Sequence, residues 1–367
     1  MALGVAICGA WYYTILSGFY VLYCPVMYLM FINHSLYRKV VDVLFSLWEL
    51  YPVALFQWCY HTRIRCFGDY VNPNENTIII MNHRTRVDWN YTWLALYHAT
   101  KPTDQRVKNI ENRDSNDIFD IICGGKSRTK FVLKDEIKIV PGMGWIMQLN
   151  YFLYVKRNWQ EDQVNLSQFV DYYNKYECRN RIVLFPEGTD LSDDNKRRSR
   201  KFAEANNLQC YEYVLHPRTK GWVALCSRLR SSGLTSVYDV TVAYDNPANE
   251  LDLIRGKLPQ EVFFQFKRYS IEEIPINEEE IKTWLNERWQ NKENSLRKFH
   301  SNVSGNSRHK NPAQNANTLN IVIEIHSIPM FTTNGAMKLP TLANMEANPI
   351  AEFLIIVGKT SDEYKYT

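Results

Sequence analysis

Charge is missing from the start of the chain: from Met1 through Tyr37 there is no Asp, Glu, Lys or Arg, and Ala2 to Ile32 is an almost unbroken apolar and aromatic run containing Pro25. A hydrocarbon core about 30 Å thick takes roughly 20 helical residues, so this run predicts a membrane helix, tilted or kinked at the proline. It lacks the basic beginning expected of a signal peptide. A second apolar stretch, Val43 to Tyr60, is interrupted only by Glu49 and Pro52 and is more amphipathic. It reads as a second span, a re-entrant segment or a helix lying in the interface. Arg38 and Lys39 precede it and Arg63 and Arg65 follow it. If both pairs obey the positive-inside rule, both ends stay cytosolic, and so does the rest of the chain. Residues 1–61 are therefore expected to be membrane-anchoring, as one helix or a helical pair.

From about Thr62 to His300 the pattern changes to short apolar or β-branched runs alternating with helical periodicity. Thr77 to Met81, Arg181 to Phe185, Val237 to Tyr244 and Glu261 to Tyr269 predict strands. Trp89 to Tyr97, Asp162 to Tyr176 and Glu278 to Phe299 predict helices, the last introduced by Pro275 and capped by Asn277. The alternation predicts an α/β fold, a mixed central sheet flanked by helices, over residues 62–300. Lys101 to Lys130 is polar and too long for an ordinary connection, so it reads as a loop insertion. Ser301 to Asn320 reads as a polar linker, and residues 301–367 as linker and tail whose apolar runs are too short to cross a bilayer.

Composition narrows the classes. With 46% hydrophobic and 14% aromatic residues, the chain has enough apolar side chain to build a core. A net charge of only +4 argues against nucleic acid as a partner, so an anionic ligand would be met locally. Eight cysteines with no C-x-x-C pair suit neither a disulfide scaffold nor a zinc module and read as reduced thiols.

Two candidate clusters follow apolar strands. In Asn82-His83-Arg84-Thr85-Arg86-Val87-Asp88, His83 and Asp88 can meet only if His83 lies in a strand-to-helix turn and Asp88 in the first helical turn. An Asp that accepts from one ring nitrogen leaves the other as a general base toward a hydroxyl. The plainer alternative is a capping His with an Asp that complements the helix dipole. In Phe185-Pro186-Glu187-Gly188-Thr189-Asp190, Glu187 could orient a hydroxyl or hold a hydrogen-bond network, and Gly188 allows close backbone approach. The alternative there is an ordinary turn. In Val140-Pro141-Gly142-Met143-Gly144-Trp145 and Tyr154-Val155-Lys156-Arg157, the glycines allow tight passage, and Arg157 suits a phosphate or is a solvated strand-end charge. The run Lys196 to Lys201 reads as a solvated basic face that also suits anionic headgroups. No G-x-S-x-G, G-x-G-x-x-G or H-E-x-x-H is present, and Gly125-Lys126-Ser127 lacks the P-loop glycine, that position being Asp120.

NHRTRVDW, VPGMGW with YVKR, VLFPEGTDLS and YEYVLHPRTKGW, in this order, resemble the lysocardiolipin acyltransferase branch of the 1-acylglycerol-3-phosphate acyltransferase superfamily, over roughly Leu16 to Phe299. The resemblance implies transfer of an acyl group from acyl-CoA to a free hydroxyl of a lysophospholipid, at a membrane of the endoplasmic reticulum, with no bound cofactor and no metal. By position it makes His83 the catalytic base and Asp88 its partner. It assigns Arg157, Glu187, Gly188 and Thr189 to substrate binding, with Lys134, Pro141 and Gly144 in the intervening block. Lysocardiolipin, lysophosphatidylinositol and lysophosphatidylglycerol are the implied acceptors. Asp190 stands where many superfamily members carry Arg, which weighs against lysophosphatidic acid, the alternative acceptor. The spacer between Asp88 and Pro141 is longer than the family's usual one, and the tail lacks the family's terminal apolar segments. An inactive scaffold or lipid-binding relative is the alternative of another class.

Overall fold

The computed structural model describes residues 2–58, 60–100, 129–176, 181–304 and 323–324. The uncharged run forms α1 (Ala2–Gly18), a wide π turn over Phe19–Tyr23, and two short helices, α2 (Cys24–Val26) and α3 (Leu29–Ile32). Pro25 has no N–H and crowds the preceding turn, which accounts for the widened turn just before it. Asn33 then leaves helical geometry and caps α4 (His34–Trp58), its side chain accepting from Leu36 N at 3.0 Å. Gly4–Ile32 is long and apolar enough to cross a membrane. Tyr13, Val21, Phe31 and Ile32 on it are exposed, which fits membrane association.

The second apolar stretch belongs to α4, which begins nine residues before Val43 and packs into the core through Tyr37, Val41, Phe45 and Phe56. Phe45 meets Trp93, and Phe56 meets Tyr91, on α5 (Asp88–Ala99), with ring centroids 6.0 and 5.1 Å apart. The α4 side chain Asp42 takes Arg38 at 3.0 Å and the buried Lys130 at 3.2 Å. Arg63 and Arg65 are not membrane flanks. They lie in a strand, where Arg65 pairs with Glu261 at 2.7 Å.

Eight strands form one sheet: β1 (Arg63–Gly68), β2 (Thr77–Met81), β3 (Thr129–Lys134), β4 (Leu153–Val155), β5 (Arg181–Leu184), β6 (Ser236–Tyr244), β7 (Glu261–Ser270) and β8 (Ile323–Glu324), in the order β4-β3-β5-β2-β6-β7-β1-β8. Neighbours are parallel except β6–β7 and β1–β8, so the sheet is mixed, as the sequence pattern predicted. The remaining helices are α6 (Met143–Leu149), α7 (Trp159–Lys175), α8 (Asp193–Ala205), α9 (Thr219–Arg230), α10 (Glu250–Arg255) and α11 (Glu278–Ser304). Central β2 is buried on both faces. Ile79 and Met81 join the layer of α4 and α5, while Ile78 and Ile80 join that of α7, α9 and α11.

Several boundaries differ from the sequence reading. Thr129 and Lys130, placed there in the polar insertion, are buried in β3; the rest of that segment, 101–128, lies outside the described residues. The α11 helix runs to Ser304, past the expected start of the linker, and the tail contributes β8 against β1. Residues 305–322 and 325–367 lie outside the described residues.

The N-terminal helix is docked on this body at two places. A Cβ on Gly4 would fall 2.1 Å from the Ile254 carbonyl oxygen of α10, and one on Gly142 would fall 2.9 Å from Ile15 Cγ2. Glycine at both positions is what lets the surfaces touch.

Candidate active site

Strands β2 and β5 are parallel neighbours, with Ile80 opposite Leu184, so the turns that follow them leave from the same sheet edge. The carboxyl ends of parallel strands are where ligands gather in such sheets. Asn82 fixes the start of the first turn by pairing with β6, donating to Val242 O at 3.1 Å and accepting from Val242 N at 2.8 Å. His83 follows immediately.

Asp88 opens α5 and is fully buried. Its Oδ2 accepts from His83 Nδ1 at 3.0 Å, Arg84 N at 2.6 Å and Thr85 N at 3.1 Å. Its Oδ1 accepts from Thr85 Oγ1 at 3.0 Å and Tyr244 OH at 2.5 Å. The backbone donors wrap the turn around the carboxylate, which is how residues five apart come into contact. A carboxylate only accepts, so the His83 proton sits on Nδ1 and Nε2 carries the free lone pair. The His83 side chain is 20% exposed, and its ring lies 4.4 Å from that of Phe185, centroid to centroid.

Glu187 is buried beneath this turn rather than exposed beside it. Oε1 accepts from His83 N at 3.3 Å and from Trp289 Nε1 at 3.2 Å, and Oε2 accepts from Leu215 N at 3.2 Å. Burial pushes its carboxyl up to about 8, against the opposing pull of these donors, with Asp88 adding to the rise. Of the two roles open to it in the sequence, this geometry suits the network.

Gly188 turns the chain at φ 70, and its carbonyl accepts from Arg157 Nη2 at 2.5 Å. Arg157 itself holds a left-handed φ of 63, uncommon for a residue with a side chain. Arg218 lies on the other side, since a Cβ on Gly188 would be 3.4 Å from its Cδ and Nε. Lys134, at the end of β3, is held below the ordinary lysine range by burial and then by the charges of Arg157 and Arg86. Asp190 receives Arg86 at 3.4 Å, and Thr189 Oγ1 accepts from Asn195 at 3.0 Å. The result is a cluster of cations around the Gly188 turn.

Pro141 and Gly144 stand apart from that cluster. A Cβ on Gly144 would fall 2.2 Å from Ile137 O, so the glycine serves a close backbone crossing, and Pro141 O accepts from Tyr12 at 3.4 Å. Trp11 of α1 stacks on Trp89, next to Asp88, with centroids 5.8 Å apart. Sequence reading missed Thr85, Tyr244, Trp289 and Arg218 as parts of the site. Thr85 and Arg218 sat inside motifs already noticed, whereas nothing marked Tyr244 or Trp289.

Known proteins share the sequence of this body. A family described as Acyltransferase matches residues 63–245, and one described as Acyltransferase C-terminus matches 252–324. "Lysocardiolipin acyltransferase 1" of Mus musculus is 39% identical over 279 residues, 75% of this chain and 68% of that protein. This chain belongs to the acyltransferase family. "Lysophosphatidylinositol acyltransferase 10" of Caenorhabditis elegans is 34% identical over 275 residues, 73% of this chain and 64% of that protein. The crystal structure of the 1-acyl-sn-glycerophosphate (LPA) acyltransferase PlsC from Thermotoga maritima superimposes with a TM-score of 0.47 at 14% identity, covering 82% of this chain and 98% of that one. In this acyltransferase the His83, Arg157 and Glu187 turns all lie within the first matched segment, and Trp289 within the second.

Proposed function

We propose that the acyltransferase moves a fatty acyl group from acyl-CoA to a free hydroxyl of an anionic lysophospholipid, with His83 as general base. The observation that carries this reading is the His83 Nδ1 contact to buried Asp88 at 3.0 Å, which directs the lone pair of Nε2 outward at the sheet edge. Nε2 takes the proton of the acceptor hydroxyl as its oxygen attacks the thioester carbonyl. The C–O bond forms, the tetrahedral intermediate collapses, the C–S bond breaks, and the coenzyme A thiolate leaves and takes the proton back from the imidazolium. Asp88 stays ionised and stabilises that imidazolium. Arg157, Lys134 and Arg86 supply the positive field for the phosphate of the acceptor. Gly188 and Thr189 shape the turn beneath that phosphate.

The relatives' names favour lysocardiolipin and lysophosphatidylinositol as acceptors, and the resemblance of the motifs adds lysophosphatidylglycerol. The apolar helix supports integral attachment to a membrane, and the family resemblance supports the endoplasmic reticulum with the catalytic domain on the cytosolic side. The test is transfer from labelled oleoyl-CoA to a panel of lysophospholipids in membranes carrying the wild type or His83→Ala. Transfer that the substitution abolishes supports the reaction and names the headgroup. Transfer to lysophosphatidic acid alone replaces the acceptor, and transfer to none by a folded, membrane-bound protein replaces the enzyme with a scaffold.

A further inference from the structure

The long helix α11 makes buried polar contacts with the body at three positions along one face, the first of them at a catalytic turn. Trp289 Nε1 donates to Glu187 Oε1 at 3.2 Å, the oxygen that also accepts from His83 N. One turn later, Lys292 forms an ion pair with Asp239 of β6 and donates to Val240 O at 2.6 Å. Glu293 accepts from Glu212 N at 3.1 Å and Tyr213 N at 2.8 Å, in the loop that leads to Leu215. All three side chains are buried. Positions i, i+3 and i+4 share a helix face, and an apolar interface would put Leu or Phe there. A Trp donor satisfied by the Glu187 turn, a Lys by β6 and a Glu by the loop before α9 are a costly way to pack a helix unless their partners need holding.

We infer that Trp289 is a positioning residue for acyl transfer, setting the place of the His83 backbone through the shared Glu187 oxygen. Three N–H groups, from His83, Leu215 and Trp289, converge on the two Glu187 oxygens, so one carboxyl ties the catalytic turn to α11 and to the loop before α9. Around that carboxylate, α5 contributes the Asp88 charge, which opposes ionisation, and α11 contributes Lys292, which favours it and is itself compensated by Asp239 of β6. Removing the indole donor leaves Oε1 with His83 N alone and unties the carboxyl from α11. With Glu187 no longer pinned from that side, the turn bearing His83 loosens.

The inference rests on the acyl-transfer reading, and its test has an arm that needs no substrate. In the first arm, the wild type is compared with Trp289→Phe, with Trp289→His, and with a protein carrying the benzothiophene analogue of tryptophan at that position, which keeps the bicyclic ring and lacks only the donor. The expected result is a kcat lower by about tenfold at neutral pH for Trp289→Phe and the analogue, as for loss of a buried hydrogen bond. KM for oleoyl-CoA is unchanged, and Trp289→His, which restores a ring N–H, recovers part of the rate. Equal rates for the two natural substitutions, or a rise in KM in place of the fall in kcat, overturns the inference. In the second arm, hydrogen exchange at the peptide carrying His83 is expected to quicken by about tenfold in the analogue. Unchanged exchange overturns the inference whether or not any acceptor is acylated, whereas quickened exchange without transfer in the wild type overturns only the acyl-transfer reading.

Discussion

The Tyr244 hydroxyl donates to Asp88 Oδ1 at 2.5 Å from the far end of β6, and both residues are buried. Burial and the neighbouring Asp88 hold the phenol well above its ordinary range, so it stays a donor throughout the working pH. Tyr244→Phe leaves Oδ1 with the Thr85 hydroxyl alone. A hydrogen bond to a charged group contributes about 1.5–3 kcal/mol, so kcat is expected to drop about tenfold to a hundredfold while KM for acyl-CoA holds. Single-turnover kinetics on the folded variant decides; an unchanged rate would mean that His83 is oriented without help from that oxygen.

Arg157 bridges the ends of two strands through the Gly188 carbonyl. Arg157→Lys keeps the charge and loses the planar fork, and a lysine cannot both hold that carbonyl and clasp a phosphate in two places. KM for the lysophospholipid is expected to rise about tenfold with a smaller change in kcat. A fall in kcat at constant KM would assign Arg157 to the turn alone.

Glu187 links stability to pH with a definite sign. Its folded value of about 8 lies above the ordinary 4.5, so the folded protein keeps this proton where the unfolded chain has lost it. The stabilisation from that proton is full below about pH 4.5, declines as pH rises through the interval, and is gone above about pH 8. Glu187→Gln cannot titrate, and its melting temperature should fall less steeply than the wild type's across that window. Parallel melting curves for the two proteins would contradict the assignment.

Asp42 holds two buried cations, Arg38 and Lys130, at the contact between α4 and β3. Asp42→Ala removes the carboxylate they share, and breaking a buried ion pair costs on the order of 3 kcal/mol. Urea unfolding in detergent is expected to show that loss, with Asp42→Asn retaining part of the stability. An Ala variant as stable as the wild type would show that water reaches the pair.

The sequence made the outline of the site readable because its signals are local. His83 and Asp88 sit five apart after an apolar strand, and Glu187 and Gly188 follow another, so strand ends could be recognised and brought together by the sheet. Tyr244 and Trp289 were invisible because each reaches the site from over a hundred residues away, as one aromatic among many. The burial of Glu187 was equally hidden, since a Glu in a Pro-Glu-Gly turn looks solvated until Trp289 and Leu215 close over it. Apolar content alone cannot tell a lipid-facing helix from one facing protein, which is why Val43 to Tyr60 left three readings open. In the structure one face of α4 packs on the core. Strand β1 escaped notice because Arg63 and Arg65 alternate with its apolar residues, one face of the strand being polar.

Contacts at Gly4 and Ile15 fasten α1 to the body at points eleven residues apart, about 16 Å of helical rise. That stretch cannot enter a bilayer while the body stays clear of it, so any depth the helix takes is shared by the body. Trp11 lies between the two fastenings and stacks on Trp89, which fixes the distance between α1 and the reaction centre. A single-chain lipid lifted out of the leaflet would give up about 0.8 kcal/mol for each methylene exposed to water. If α1 lies in a leaflet, as the proposed function has it, the acceptor would arrive by lateral diffusion with its tail still immersed.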